Sequence, residues 1–363
     1  MTNPLLTPFT IGGLTLRNRI VMAPMTRSFS PDGVPPPEVA VYYRRRAEAH
    51  VGLIVTEGTA IERPSAKNDP NVPHFYGDEA LAGWARVADA VHGAGGVIAP
   101  QLWHVGPRLD EKIKDWTAPG PVDSAAGLRS WEEPRLTAMS EEAIADTLAA
   151  YGAAAADARR LDFDAVEIHA AHGYLIDDFF WGVSNTRTDR WGGRTLRERT
   201  RFGAEVVKAV KTGLDPAMPL MIRLSQWKGL DFEATVAATP AEMAEWLEPL
   251  ADAGVDVFHC SQRRFWEPTF PGSDLNFAGW AKKVTGKVTI TVGSVGLNGE
   301  FIAGGISQPD SLDEVLRRFD RGDFDLVAVG RALLADPTWA EKIRDGRHHE
   351  LQIYHPKAKQ TLY

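Results

Sequence analysis

His169, His172 and Tyr174 fall within six residues of one another, in the stretch VEIHAAHGYLIDDFFWGVSNTRTDRWGG (166–193), just after an apolar, strand-like run. Two imidazole N–H groups can hold one carbonyl oxygen, and a phenol beside them can release a proton. That combination fits chemistry on an electron-poor carbonyl compound. Two other readings stand beside it. A histidine at a strand end is most often a hydrogen-bonded core residue, and two histidines three residues apart could ligate a metal with help from His104 or Asp177. The second alternative would make the chain a metal-dependent barrel hydrolase using His104, His169 and His172. No other histidine–carboxylate cluster completes such a site, so the oxygen-binding pair ranks above the metal, and no metal is expected.

Other residue groups point to an anionic, flat ligand. Gly293-Ser294 and Gly330-Arg331 could form a phosphate site, because glycine lets backbone N–H groups approach phosphate oxygens and arginine adds a charged fork. The same glycines could equally be tight strand-to-helix turns. Arg223 closes the apolar run LMIRL, where an arginine calls for an anionic partner, either a structural carboxylate or a cofactor that gains negative charge on reduction. Gln101 offers an amide donor and acceptor suited to the imide edge of a flavin. Cys260 reads as a small buried hydrophobe. There is no G-x-x-x-x-G-K-[ST] run and no G-x-G-x-x-G opening a helix after a strand, which argues against a Rossmann dinucleotide domain.

These residues need a scaffold that brings them together. Eight short runs rich in β-branched residues recur along the chain: Ile20–Met22, Leu53–Glu57, Val97–Gln101, Ala165–His169, Leu220–Arg223, Val257–Cys260, Thr289–Val292 and Leu326–Val329. Most lack polar alternation, as expected of parallel strands covered on both faces. Helical patterns lie between them, among them Ala80–Gly93, Glu141–Arg160 behind the cap Ser140, and Leu196–Thr212. Strand and helix repeated eight times read as an α/β fold, a (β/α)8 TIM barrel. Leu5–Arg19, with Gly12-Gly13 between two apolar runs, reads as an N-terminal hairpin closing the barrel's bottom. Long Pro- and Gly-bearing loops follow the third strand (106–135) and the sixth (262–276), a size typical of lids and substrate loops. Functional residues of such a barrel gather at the C-terminal ends of its strands, and the candidates do fall there: Pro24, Met25 and Thr26 after the first, Gln101, Trp103 and His104 at the third, the His169 group at the fourth, Arg223 at the fifth, and the two glycine pairs after the seventh and eighth.

Composition agrees with this reading. A length of 363 residues suits a single barrel domain over 1–363, with 44% hydrophobic and 24% charged residues. A formal net charge of −8 argues against a nucleic-acid surface. One cysteine, Cys260, excludes an internal disulfide and leaves an iron–sulfur cluster without its thiolates. The N-terminus has no secretory-signal pattern and no apolar run reaches membrane-spanning length. A cytoplasmic protein, monomeric or homodimeric, with no membrane partner, is the expectation.

The chain resembles the old yellow enzyme family of FMN-dependent ene-reductases over nearly its whole length. The matching segments include LRNRIVMAPMTR (16–27), VTEGTAI (55–61), QLWHVG (101–106), EIHAAHGYLIDDFF (167–180), SNTRTDRWGG (184–193), IRLS (222–225), TVGSVG (291–296) and VGRALLADP (329–337). The resemblance implies that Pro24, Met25 and Thr26 lie against the flavin, with the Thr26 hydroxyl tuning it. Ala60 and Gln101 would bond the isoalloxazine, with Arg223 beside it, and Gly293, Ser294, Gly330 and Arg331 would hold the phosphate. His169 and His172 would grip a carbonyl or nitro oxygen of an activated alkene, while Tyr174 would be the proton donor. An ordinary phenol, with a pKa of roughly 10, stays protonated at neutral pH. Trp103 would shape the substrate pocket. The loop SQRRFWEPTFPGSDLN after the sixth strand departs from the classical members, and its Phe265 and Trp266 are expected to reach the active site and contact substrate. NADPH or NADH would reduce the FMN. The tail LQIYHPKAKQTLY (351–363) departs from the Gly- and Tyr-rich ending of many members.

Overall fold

A computed structural model of the chain describes residues 3–108, 116–128, 136–299 and 304–363. Parts of the expected loop after the third barrel strand, 109–115 and 129–135, lie outside the described residues. A short antiparallel hairpin comes first, β1 (Phe9–Ile11) paired with β2 (Leu14–Leu16), and Gly12 between them takes the left-handed φ of +56° that a side chain would resist.

Eight parallel strands then close into a barrel: β3 (Ile20–Met22), β4 (Leu53–Ala60), β5 (Ile98–Trp103), β6 (Val166–His169), β7 (Leu220–Ser225), β8 (Val257–Ser261), β9 (Val288–Val292) and β10 (Leu326–Val329). Each follows its neighbour in sequence, and β10 pairs back onto β3. Every expected strand is present. The largest departure is β4, which runs three residues past Glu57 to Ala60 across a register irregularity between Val55 and Gly58.

The helices are α1 (Pro37–Glu48), α2 (Asp78–Gly93), α3 (Glu141–Arg160), α4 (Leu175–Phe180), α5 (Leu196–Arg199), α6 (Arg201–Gly213), α7 (Pro240–Ala253), α8 (Phe277–Thr285), α9 (Asp313–Asp320), α10 (Arg331–Ala335) and α11 (Trp339–Arg344). Helical spacing explains α2, which buries Leu81, Trp84, Val87, Ala88 and Val91 on one side. Ser140 caps α3 by accepting the Ala143 N–H. The expected single helix over Leu196–Thr212 divides at Thr200. There the Thr200 hydroxyl bonds back to the Leu196 carbonyl at 2.8 Å and ψ opens to −12°, a local alternative to the helical ladder that bends the chain.

Successive strand residues alternate between two apolar cores. Ile20, Met22, Ile54, Ile98, Val166, Ile168, Leu220 and Ile222 belong to the large core under the helices. Val21, Ala23, Leu53, Val55, Ala99, Ala165, Met221, Val257 and Ile290 form a separate inner core, which Ile11 and Leu16 of the hairpin join from below. The hairpin therefore plugs the barrel's bottom with apolar side chains.

Candidate active site

Following the inner face upward, two residues at a time, the side chains change from apolar to polar. Ala99 gives way to Gln101, Ala165 to Glu167 and then His169, Met221 to Arg223, and Val257 to His259 and then Ser261. Register sets these polar residues side by side: Gln101 beside Glu167, His169 beside Arg223, Arg223 beside His259. Above this floor, at the C-terminal ends of the strands, opens a cavity of about 460 Å3, a size suited to a cofactor and a small substrate.

His169 and His172 reach this cavity with ring centroids 5.3 Å apart and planes at 86°. The Nδ1 atom of His169 accepts the Ala171 N–H at 3.3 Å, which leaves its proton on Nε2. His172 sits at a left-handed φ of +65°, an uncommon conformation for a residue with a Cβ. Several bonds hold it there: its N–H donates to Ser225 Oγ, its carbonyl accepts from Gly229, and its Nε2 lies 2.9 Å from Ser261 Oγ. Trp227 stacks on the His172 ring at 4.3 Å. Burial, reinforced by the Arg223 charge, pushes both histidines well below the ordinary imidazole value. Both are therefore neutral, each with a single N–H to offer.

Tyr174 packs edge-on against His169 and Trp103, both at 4.9 Å. Trp103 takes its position because Gly58 faces it across the β4–β5 pair, where a Cβ would come within 2.6 Å of the indole. Trp227 and Phe232, from the segment after β7, complete an aromatic wall. The sequence alone does not mark these two aromatics, Gly58 or Ser261 as cavity residues. Ser261 continues the inward period of Val257 and His259, whereas Gly58 reaches the cavity only through the register irregularity after Val55. The two aromatics lie in a non-periodic segment that carries no such signal.

The loop Pro24–Ser28 is held from both sides. Arg223 Nη1 donates to the Pro24 carbonyl at 3.2 Å, and the N–H groups of Arg27 and Ser28 donate to Glu57 Oε2 at 2.8 and 3.0 Å. Pro24, Met25 and Thr26 thereby line the cavity. Glu57 is itself fully buried, and burial raises its pKa from 4.5 to about 7. The folded protein thus holds a proton that the unfolded chain releases above 4.5, so the Glu57 contribution to stability is lost as pH rises through the 4.5–7 window. The whole shift is worth about 3 kcal/mol at 1.36 kcal/mol per unit. In Glu57→Gln that dependence is removed. Thermal melts of the two proteins should show the difference in Tm moving in the variant's favour between pH 5 and pH 8, whatever its value at pH 5; a constant difference would refute the assignment.

Where β9 and β10 end, Gly293, Ser294, Gly330 and Arg331 come together, with Gly330 next to Met25 of the neighbouring loop. Gly293 has φ +147° and Ser294 +54°, and a Cβ on Gly293 would lie 2.5 Å from the Gln262 carbonyl. Arg331 Nη2 reaches Ser294 Oγ at 3.3 Å, and its guanidinium lies over the Tyr354 ring at 5.4 Å. Among the described lining residues stand six cations, Arg27, Arg108, Arg223, Arg263, Arg331 and Lys359, and no carboxylate. In a chain of net charge −8 that asymmetry marks the cavity for an anionic ligand. Arg223 Nε is buried with no hydrogen-bond partner, a donor awaiting an acceptor. These features fit a phosphate-bearing flavin.

Several expected residues lie off the cavity lining. Ala60 is the first: its N–H donates to Pro73 and its carbonyl accepts from Phe75, because β4 extends across the Val55–Gly58 irregularity and brings Gly58 to the cavity instead. Trp266 is the second. It packs edge-on against Phe265, which lies in the core, and its carbonyl accepts from Arg318. His104, needed by the hydrolase alternative, has Nε2 on Asp123 and Nδ1 accepting from Gly106. Asp177 pairs with the buried Lys228 ammonium and accepts the Gly173 N–H. With both committed elsewhere, the histidine pair has no third ligand among the described residues, and the geometry does not support the metal-hydrolase reading. Cys260 is fully buried, and burial pushes its thiol pKa up.

Comparisons with known proteins agree on one family. The pattern described as the NADH:flavin oxidoreductase / NADH oxidase family matches residues 4–350. An NADPH dehydrogenase of Bacillus subtilis (strain 168) is 34% identical, with 94% of each chain covered. A 12-oxophytodienoate reductase 7 of Oryza sativa subsp. japonica is 31% identical, with 94% of this chain and 88% of that protein covered. Among solved structures, morphinone reductase in complex with tetrahydroNAD is 30% identical and superimposes with a TM-score of 0.80 over 98% of this chain and 93% of that one.

Proposed function

This chain belongs to the old yellow enzyme family of NADH:flavin oxidoreductases, and on that premise we propose that it is an FMN-dependent ene-reductase acting on a small α,β-unsaturated carbonyl or nitro compound, with NADPH or NADH as reductant. The observation that carries this reading is a neutral histidine pair with a tyrosine beside it, opening onto a cavity of cationic character that ends in a buried, unpartnered Arg223 Nε. The names of the relatives, NADPH dehydrogenase and 12-oxophytodienoate reductase, support the same class of reaction.

When bound and reduced by NAD(P)H, FMN would supply the hydride equivalent for an alkene. The protein's part is binding, polarisation and protonation. Gly293, Ser294, Gly330 and Arg331 would hold the phosphate, while Pro24, Met25, Thr26, Gln101 and Arg223 would bind the ring system. The N–H groups of His169 and His172 donate to the substrate oxygen and stabilise the charge that develops there. Tyr174 gives its hydroxyl proton to the α-carbon. Trp103, with Trp227 and Phe232, walls the substrate side against water.

An absorbance spectrum tests the reading. Purified protein, or protein mixed with FMN and desalted, should show bound oxidised flavin, bleach under anaerobic NADPH and regain colour on adding 2-cyclohexenone. Absence of flavin absorbance after reconstitution would sink it.

A further inference from the structure

Beneath the cavity floor, three inward residues of β5, β6 and β8 form a polar chain that runs from Gln101 through Glu167 to His259. Gln101 Nε2 lies 2.8 Å from Glu167 Oε1, and His259 Nδ1 lies 2.6 Å from Glu167 Oε2. All three side chains are essentially inaccessible, at 2%, 0% and 0% exposure, yet only Gln101 lines the cavity.

The chemistry of this chain runs in one direction. A carboxylate only accepts hydrogen bonds, so Gln101 must turn its NH2 group down to Glu167. Its Oε1 is then what remains for the cavity. An unconstrained glutamine could present either end by a half-turn of the amide. His259 donates from Nδ1 and occupies the other carboxylate oxygen, which leaves Glu167 no freedom to swing away from Gln101.

Resting on the proposed FMN site, we infer that Glu167 and His259 are positioning residues that lock the Gln101 amide with its oxygen toward the cofactor, and that Glu167 counterbalances the charge of Arg223 on the same floor. An isoalloxazine offers an imide N–H between two carbonyls at its pyrimidine edge, and a locked oxygen at Gln101 matches that donor. A flipped amide would set N–H against N–H. Glu167 lies one inward step below His169, the register neighbour of Arg223, and its negative charge opposes the burial that disfavours the arginine cation. Glu167 and Arg223 thus act on a bound ring in opposite senses, and the carboxylate tempers the arginine's preference for the reduced, more negative form.

Glu167→Gln is nearly isosteric and tests both statements. FMN affinity, read by quenching of flavin fluorescence, should fall about tenfold, the scale of one misdirected buried hydrogen bond. The midpoint potential, read against a reference dye, should rise by about 30 mV, equivalent to a tenfold shift toward the reduced form. The exchange variant Glu167→Gln/Gln101→Glu restores a one-way bond between the two positions, with an acceptor oxygen again facing the cavity, so its FMN affinity should return toward that of the unaltered protein. Unchanged affinity and potential in the single variant, or no recovery in the exchange variant, would overturn the inference. If the single variant does not fold, the exchange variant decides alone: strong FMN binding upholds the locked amide and weak binding overturns it. Failure of the unaltered protein to bind FMN would instead refute the functional reading on which the inference stands.

Discussion

Tyr174→Phe should slow alkene reduction by roughly 10²–10⁴-fold, the usual loss when a positioned general acid is removed, while leaving reduction of the flavin by NAD(P)H at its original rate. The substitution takes away one hydroxyl and keeps the ring. The edge contacts of that ring with Trp103 and His169 survive, so the histidine pair keeps its packing. Reductive chemistry moves a hydride from nicotinamide and asks no proton of Tyr174, whereas saturation of an alkene needs one at the α-carbon. Stopped-flow measurement of the two half-reactions separates the cases. Equal loss in both would mean that Tyr174 is a structural wall of the cavity, and no loss in either would mean that the proton comes from elsewhere.

The parts of this architecture that are legible in sequence are those that repeat. Eight apolar runs spaced by helical patterns dictate the barrel, because a parallel strand buried on both faces has little choice of composition. Val257–Cys260 and Leu326–Val329 are found within one residue of their observed limits. The fold then places His169, Arg223, Gln101 and the two glycine pairs at the same end of the barrel without further information. What escapes is irregular. Ala60 was expected at the cavity, but the register break in β4 hands that place to Gly58. Trp266 was expected to face the substrate because it sits in a long loop after a barrel strand. The structure spends that aromatic on packing and uses Trp227 and Phe232, after the preceding strand, as the wall. Long-range contacts of the tail are also invisible locally. Arg27 of the first strand's loop binds the carbonyls of Ala358, Lys359 and Thr361, more than 300 positions away, and brings Lys359 to the cavity.

The histidine pair carries the second large effect. His169→Ala should lower alkene turnover by roughly 10²–10³-fold, the loss found when one donor to a developing oxyanion is removed, and should weaken a phenolic ligand in parallel. Because burial and the Arg223 charge keep both imidazoles neutral, the affinity of that ligand should show no inflection near pH 6.5; an inflection there would mean that a histidine cation is the donor. His172 permits a finer test, because its backbone is strained at φ +65°. Asparagine tolerates that conformation and retains an N–H donor, so His172→Asn should keep much of the affinity. Valine offers neither, and its β-branching resists a positive φ. His172→Val should therefore lose ligand binding and thermal stability together, while His169→Ala, at an ordinary strand position, should lose binding with the smaller change in Tm. Loss of binding in neither position would refute the paired-donor arrangement; loss at His169 alone would assign the substrate oxygen to one imidazole and leave His172 to hold the turn that presents Tyr174.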